Sequence, residues 1–373
     1  MKLAIISHTP HYLKAGRIVG WGATVREVNH LTKLFDEIYH IAPLHNEPAP
    51  DSSLEYDSDK ITFVPLKSYG GETLMQKFSI ITTATQNLNT ISPILEKVDW
   101  VQFRAPTAMG LYVLPYLSTK LRPKRWVKYA GNWKMEDPPY SYALQKWMLE
   151  KNYLNCKVTI NGWWEGQHEH ILSFPNPCLD DEEIEMAAEI GKKKNFSDKL
   201  RLCFAGTLTE NKGSDIIIKA LKAFSEKSSI EDMTFAGGGS LLKSHIADSE
   251  GSGVKMNFPG FMDRYKLSEV YERSHIIILP SKSEGFPKVI AEAAAYGCVP
   301  IVSDVSSISQ YFGDKESFLL KDISVKGLQD TLHKAIENRV RLKEMSHSCM
   351  KAARQFTFSH YMSLLKEKIL DAD

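Results

Sequence analysis

The sequence predicts an α/β protein built as two successive strand–helix halves. Three observations predict it. The chain has 373 residues, enough for two domains with good cores. Apolar runs of strand length alternate with helical-period stretches up to residue 162, and the alternation restarts at Arg201. Residues 275–304, HIIILPSKSEGFPKVIAEAAAYGCVPIVSD, read as strand, loop, helix and strand, one parallel βαβ unit.

Composition narrows the classes. Apolar residues make up 43% and charged residues 24%, the balance of an ordinary globular protein. A net charge of +1 gives no general reason to bind nucleic acid. No apolar run reaches the roughly 18 residues of a membrane span. The opening MKLAIISHTPHYLK begins like a signal peptide, but its apolar run is short and reads as a first strand. Five cysteines are scattered and odd in number, without a C-x-x-C pair. That suits reduced thiols and a cytoplasmic location. Cys203 and Cys298 fall in strand-like runs and read as small core residues.

The first half starts with strand KLAIISH (2–8). A loop with Gly16, Gly20 and Gly22 follows, then a helix with Val25, Val28, Thr32 and Phe35 on one face. Strand, glycine loop and helix is an arrangement that can cradle phosphate. Strands are expected at 37–43 and 60–66, with loop between them. A helix is expected over 71–91, a strand at 100–106, and a short helix kinked or ended near Pro115. Strand RWVKYAG (125–131), a helix from Ser141 and strand KVTING (157–162) complete this half. Residues 120–128, KLRPKRWVK, put five basic groups beside a tryptophan. They read as a solvated basic loop, or as a surface drawn to an anionic membrane or a phosphorylated acceptor.

Residues 174–199 combine prolines, an acidic run and a basic run, and read as the connection between the halves. The second half then gives strand RLCFAG, loop TLTENKG and helix SDIIIKALKAFSE. MTFAGGGSLLKSHI is strand, Gly-rich turn and helix, and VKMNFPGF is a further strand. LQDTLHKAIENRVRLKEM reads as one surface helix, and FSHYMSLLKEKIL as a last amphipathic one.

The 275–304 unit carries two carboxylates. Glu284 lies in the loop at the carboxyl end of a strand, where ligands of open parallel sheets bind. Glu292 lies in the following helix, which Pro287 opens and Gly297 stops. The N–H groups of Gly285, Phe286 and Lys288 at that helix start suit an anion. A carboxylate there can accept hydrogen bonds from a diol such as ribose. The alanines at 291 and 293–295 leave room for a ligand or for close packing. Two histidine pairs, His8 with His11 and His168 with His170, have no metal-ligand spacing.

The run E-G-F-P-K-V-I-A-E, followed by A-A-x-G-x-V-P-I-V, closely resembles the nucleotide-sugar site of the retaining GT-B glycosyltransferases of family GT4. Lys212-Gly213 resembles the end of that family's G-R-L-x-x-x-K-G loop. The glycines at 237–239 resemble its G-x-G turn, and FPNPCLD its P-N-G-V-D segment. The resemblance implies an α/β GT-B fold with two Rossmann-like domains facing across a cleft. Expected boundaries are 1–180 for the acceptor-binding domain and 181–355 for the nucleotide-sugar domain, with helix 356–373 crossing back.

It further implies a hexosyltransferase that moves a sugar from a nucleotide-diphosphate sugar, a UDP-sugar first, to a saccharide or lipid-linked acceptor, as in cell-surface polysaccharide synthesis. No metal and no cofactor beyond that donor substrate is implied. The implied donor contacts are Gly22, Gly131, Thr207, Lys212, Gly238, Phe261, Glu284, Gly285, Phe286, Pro287, Lys288 and Glu292. The implied catalytic group is Glu284 on the sugar hydroxyls, Lys212 on the diphosphate and Asn132 at the sugar. Two departures stand out. Thr207 occupies the family's Arg position, and Ala130-Gly131 replaces its His-Gly, which leaves Asn132 or the Gly131 backbone to meet the sugar. Alternatives are a nucleotide-sugar epimerase or hydrolase on the same fold, and an inactive sugar-nucleotide-binding protein. Peripheral contact with the inner face of a membrane is a further expectation, from the basic 120–128 stretch.

Overall fold

A computed structural model describes residues 1–68 and 74–372. They form two compact units, one of residues 1–174 with 360–373 and one of residues 175–359.

The first unit contains β1 (Lys2–Ile6), β2 (His11–Lys14), β3 (Arg17–Trp21), α1 (Gly22–Leu31), β4 (Glu37–His45), β5 (Ser53–Glu55) and β6 (Ile61–Lys67). It continues with α2 (Leu74–Leu95), β7 (Trp100–Ala105), α3 (Gly110–Ser118), β8 (Lys124–Tyr129), α4 (Tyr140–Glu150), β9 (Lys157–Ile160) and β10 (Ile171–Ser173). The strands order as β10-β9-β8-β7-β1-β4-β2-β3-β5, with β6 also on β4. From β10 to β4 all neighbours are parallel. β1 and β7 are buried almost throughout, as parallel strands covered on both faces must be.

Several expectations change here. The glycine loop after β1 is the antiparallel hairpin β2–β3, so Gly22 opens the helix instead of lying in a loop. Helix α1 ends at Leu31, with Thr32 as its cap. The loop expected over 44–59 contains β5, paired with β3. Helix α3 runs through Pro115. Of the helix expected over 71–91, residues 71–73 lie outside the described residues.

The second unit contains α5 (Asp181–Gly191), β11 (Leu200–Ala205), α6 (Ser214–Lys222), β12 (Ile230–Ala236), α7 (Leu242–Ser249), β13 (Lys255–Gly260), α8 (Arg264–Arg273), β14 (Ile276–Leu279) and α9 (Lys288–Ala295). β15 (Val299–Ser303), α10 (Ile308–Tyr311), β16 (Phe318–Leu320), α11 (Val325–Glu337) and α12 (Arg339–Ala353) follow. Its sheet is parallel, in the order β13-β12-β11-β14-β15-β16. The order turns outward on either side of β11 and β14, which creates a switch point between those two strands.

The stretch read as a connection therefore holds a regular helix, α5. Asp180 and Glu183 close it with a reciprocal capping box. The single surface helix expected near residue 330 is two, α11 and α12, because Asn338 ends one and caps the other. Ala291, Ala293, Ala294 and Ala295 are fully buried, so the small residues of α9 serve close helix packing and not a ligand. The last helix, α13 (Phe358–Leu365), leaves the second unit at its start. Its Tyr361 and Leu365, with Ile369 from the π-helical turn that follows, pack in one core cluster with Leu3, Ile5, Trp100 and Trp126 of the first.

Candidate functional site

The second unit assembles the site at the carboxyl ends of β11 and β14. These strands are neighbours, so the loops that leave them are neighbours too. The Lys282 N–H donates to Asn211 O at 2.8 Å and ties the two loops together. Gly213 sits at the crossing. Its φ is +69°, and a Cβ there would lie 2.3 Å from Pro280 O, so only glycine fits. Lys212 just before it is thereby aimed across to the β14 loop. Its Nζ donates to Glu284 Oε1 at 2.6 Å. Glu284 is 9% exposed, and the Lys212 side chain 28%. Two residues 72 apart in sequence thus form one ion pair at the switch point.

The loop from 284 to 287 is held from beneath. The Phe286 ring is buried and stacks on Phe356, with centroids 4.5 Å apart. Ser306 Oγ donates to Gly285 O at 2.9 Å. These anchors leave the Gly285 and Phe286 N–H groups without a partner among the described residues. Helix α9 begins at Lys288, and Pro287 is its N-cap, one position earlier than the sequence suggests. Proline has no N–H, so Pro287 adds no backbone donor to this helix start.

Glu292, in the second turn of α9, has a cationic neighbour that sequence spacing did not reveal. Arg264, the first residue of α8, donates from Nη1 to Glu292 Oε1 at 3.1 Å. The same guanidinium grips Glu183 with Nε at 2.6 Å and Nη2 at 2.5 Å, and Cys178 O with Nη2 at 2.9 Å. Burial alone works to lower the Arg264 pKa, but the pairs with Glu183 and Glu292 outweigh it and raise the pKa. A small cavity of about 80 Å³ beside this cluster is lined by Glu183, Arg264, Tyr271, Glu292 and Tyr296. Nothing in the local sequence marked Arg264, because its partners lie 28 residues ahead and 81 behind.

The other donor candidates of this unit surround the same strand ends. Thr207 follows β11 and is exposed. Gly238 follows β12, and its carbonyl accepts from Leu208 N–H at 2.9 Å, which joins the β11 and β12 loops. Phe261 follows β13 and is half exposed. Ser214, the first residue of α6, bonds the buried His245 at 2.8 Å and steadies the loop that carries Lys212.

Gly22, Gly131 and Asn132 lie in the first unit. Gly22 N–H donates to Ser52 O at 3.1 Å, and a Cβ at Gly22 would come within 2.5 Å of that oxygen. The close approach it permits is therefore to the chain's own backbone, and its donor is engaged there. Asn132 Oδ1 accepts from Lys134 N–H at 3.0 Å in the loop after β8. Larger depressions, about 670 and 690 Å³, lie at the amino ends of the strands, beside Lys124 and Lys157 in one unit and Arg201 and His275 in the other. Parallel sheets bind ligands at the opposite ends.

Two Rossmann-like units, one with a largely parallel sheet and one with a fully parallel sheet, make up the GT-B fold. Among solved structures the whole chain is similar to sucrose-phosphate synthase from Thermosynechococcus elongatus, with a TM-score of 0.73, 14% identity and full coverage of both chains. It is also similar to Anabaena HepE in complex with UDP, with a TM-score of 0.71, 14% identity and 98% and 99% coverage. Residues 186–356 match the model of the family described as glycosyl transferases group 1. An uncharacterized glycosyltransferase of Methanocaldococcus jannaschii is 28% identical over 157 residues, 41% of this chain and 37% of that protein. The D-inositol 3-phosphate glycosyltransferase of Gordonia bronchialis is 32% identical over 96 residues, 26% of this chain and 21% of that protein. In both relatives the matched stretch is less than half of the protein's length.

Proposed function

We propose that this chain is a retaining hexosyltransferase that uses a nucleotide-diphosphate sugar, with UDP-sugar as the first donor to test, and a saccharide or lipid-linked acceptor. The observation that carries the reading is the Lys212–Glu284 pair at the switch point, beside the free N–H groups of Gly285 and Phe286. An ammonium has three donors, and Glu284 takes one, so two remain for phosphate oxygens. The ion pair is neutral as a unit. The helix start and the free N–H groups then supply the net attraction for the diphosphate. As the sugar–phosphate bond breaks, negative charge grows on the leaving diphosphate, and these preorganised donors stabilise it. The acceptor oxygen attacks the same face of the anomeric carbon, and its proton passes to the leaving diphosphate. Glu284 orients the sugar hydroxyls, Glu292 the ribose, and Asn132 or the Gly131 backbone the transferred sugar. The residues 1–174 unit takes the acceptor. The reaction as written needs no further cofactor.

HepE with bound UDP and the inositol phosphate glycosyltransferase support the donor and the reaction class by likeness. The test is incubation with UDP-, GDP- and ADP-sugars, with and without acceptor extracts. Nucleoside diphosphate release that depends on acceptor is expected, with the anomeric configuration kept. Release without acceptor would mean a hydrolase, isomerised donor an epimerase, and binding without turnover an inactive binding protein.

Peripheral membrane contact belongs to the same reading. Leu121 is 98% exposed between Lys120 and Arg122, an apolar tip among cations. The other end of the basic stretch does not contribute, because Lys128 is buried against Glu27 and Trp126 is fully buried. No helix among the described residues is long and apolar enough to cross a membrane. Sedimentation with anionic but not with zwitterionic vesicles is the expected result, weakened by Leu121→Asp.

A further inference from the structure

Arg264 has the geometry of a part built to aim another residue. Its guanidinium fork closes on both oxygens of Glu183, at 2.6 and 2.5 Å. Glu183 is itself fixed, because its Oε2 accepts from Asp180 N–H at 2.9 Å as half of the α5 capping box. The Cys178 carbonyl takes a further donor from Nη2 at 2.9 Å. A guanidinium held at three points on one side is rigid, and it presents Nη1 on the other side to Glu292 Oε1 at 3.1 Å.

The backbone of Glu292 is equally fixed. It sits on α9 between Ala291 and Ala293, both fully buried. What remains free in Glu292 is rotation of the carboxylate, and Arg264 sets that. Oε1 faces the guanidinium. Oε2 has no partner among the described residues. A carboxylate free to rotate would accept from both hydroxyls of a ribose with its two oxygens. One held by Oε1 offers Oε2 in a single direction.

We propose that Arg264 is a positioning residue that turns Glu292 so that Oε2 reads one ribose hydroxyl of the donor, and so sets selectivity for ribonucleotides over one deoxyribonucleotide form. This rests on the ribose role proposed for Glu292 above. Arg264 contacts no reacting atom; it acts through the carboxylate.

Calorimetric titration of the full chain tests it, with UDP, GDP and ADP and the 2′-deoxy and 3′-deoxy forms of whichever binds. The variants are Arg264→Met, Arg264→Lys and Glu292→Ala. Arg264→Lys keeps a cation for Glu183 and is the safer variant for folding, but a point charge has no fork to hold direction. In the wild type, one deoxy form is expected to bind roughly tenfold or more weakly, the loss of a hydrogen bond to a charged group. In both Arg264 variants that ratio should shrink to about threefold or less. Arg264→Met combined with Glu292→Ala should bind no more weakly than Glu292→Ala alone. Equal losses for ribo and deoxy forms in the Arg264 variants would mean a structural role only and overturn the proposal. So would an unchanged ratio. If the wild type binds a nucleotide without discriminating either deoxy form, the ribose role of Glu292 falls and this inference with it. If the wild type binds none of the three, it is the donor reading itself that fails.

Discussion

Glu27 in the first unit and Glu284 in the second are both acids paired with lysine, yet they do opposite things. Glu27 lies on α1 and has no exposed surface. Arg104 reaches both of its oxygens, at 2.9 and 3.3 Å, and Lys128 reaches Oε1 at 2.6 Å. Lys128 also lies 4.7 Å above the ring of Tyr361 from the C-terminal helix. The cluster joins α1, β7, β8 and that helix within one core. Glu284 is on a loop at a strand end, and its partner Lys212 keeps more than a quarter of its side chain exposed. The lesson is that an acid–base pair does not mark a site by itself. What marks it is uncommitted hydrogen-bonding capacity that solvent, and hence a ligand, can reach.

The sharpest way to break the contrast is Glu27→Ala. Two buried cations would lose their counter-charge, at a cost of about 3–5 kcal/mol. Denaturant unfolding measures it, and a loss below about 1 kcal/mol would show that the cluster is not structural. Lys212→Ala and Glu284→Gln should instead leave unfolding nearly unchanged. They should lower donor turnover by about 10²-fold or more, as removal of a preorganised charge-stabilising donor does. Steady-state rates with saturating donor would show it. Glu292→Ala comes next, with nucleotide affinity reduced roughly tenfold in calorimetry; unchanged affinity would count against a ribose contact.

The smallest effect concerns pH and the first unit. A hydrogen-bonded chain runs from Ser7 Oγ to His40, to the Tyr56 hydroxyl, to His11 and to Thr9 O, at 2.8, 2.6, 2.7 and 2.9 Å. His11 must donate to the Thr9 carbonyl, so its Nε2 accepts from Tyr56, which in turn accepts from His40. Each ring is then satisfied while neutral. Burial lowers the His11 pKa to about 4 and also depresses that of His40. The unfolded chain takes up these protons first, near the ordinary value of 6.5. Stability from this chain is therefore complete above about pH 6.5 and declines as the pH falls towards 4. His11→Gln should flatten that part of the stability–pH curve, and an unaltered curve would assign the acid sensitivity to other groups.

The second unit was largely legible because its chemistry is contiguous. Strand, Glu284 loop, helix and strand all fall between residues 275 and 304, and each local signal supports the others. The approach of Lys212 to Glu284 was not legible as geometry, because it depends on β11 and β14 being neighbours, a fact of strand order. Arg264 was hidden for the same reason. The capping box of Asp180 and Glu183 was present as a D-x-x-E pattern, but the surrounding charge runs drew attention to a linker instead. In the first unit Gly22 looked like part of a phosphate loop. Its small size instead answers Ser52 O, which comes from the turn before β5, 30 residues on and beyond any local window.

The most direct test is one thermal-melting experiment, with and without a nucleotide sugar that protects the wild type, on wild type, Glu27→Gln and Glu284→Gln. The account predicts that Glu27→Gln melts roughly 6–20 °C lower in either condition. Glu284→Gln should melt like wild type alone and lose most of the ligand-induced shift. A Glu284→Gln protein that unfolds early, or one that keeps the full shift, would contradict the assignment of this pair to the donor.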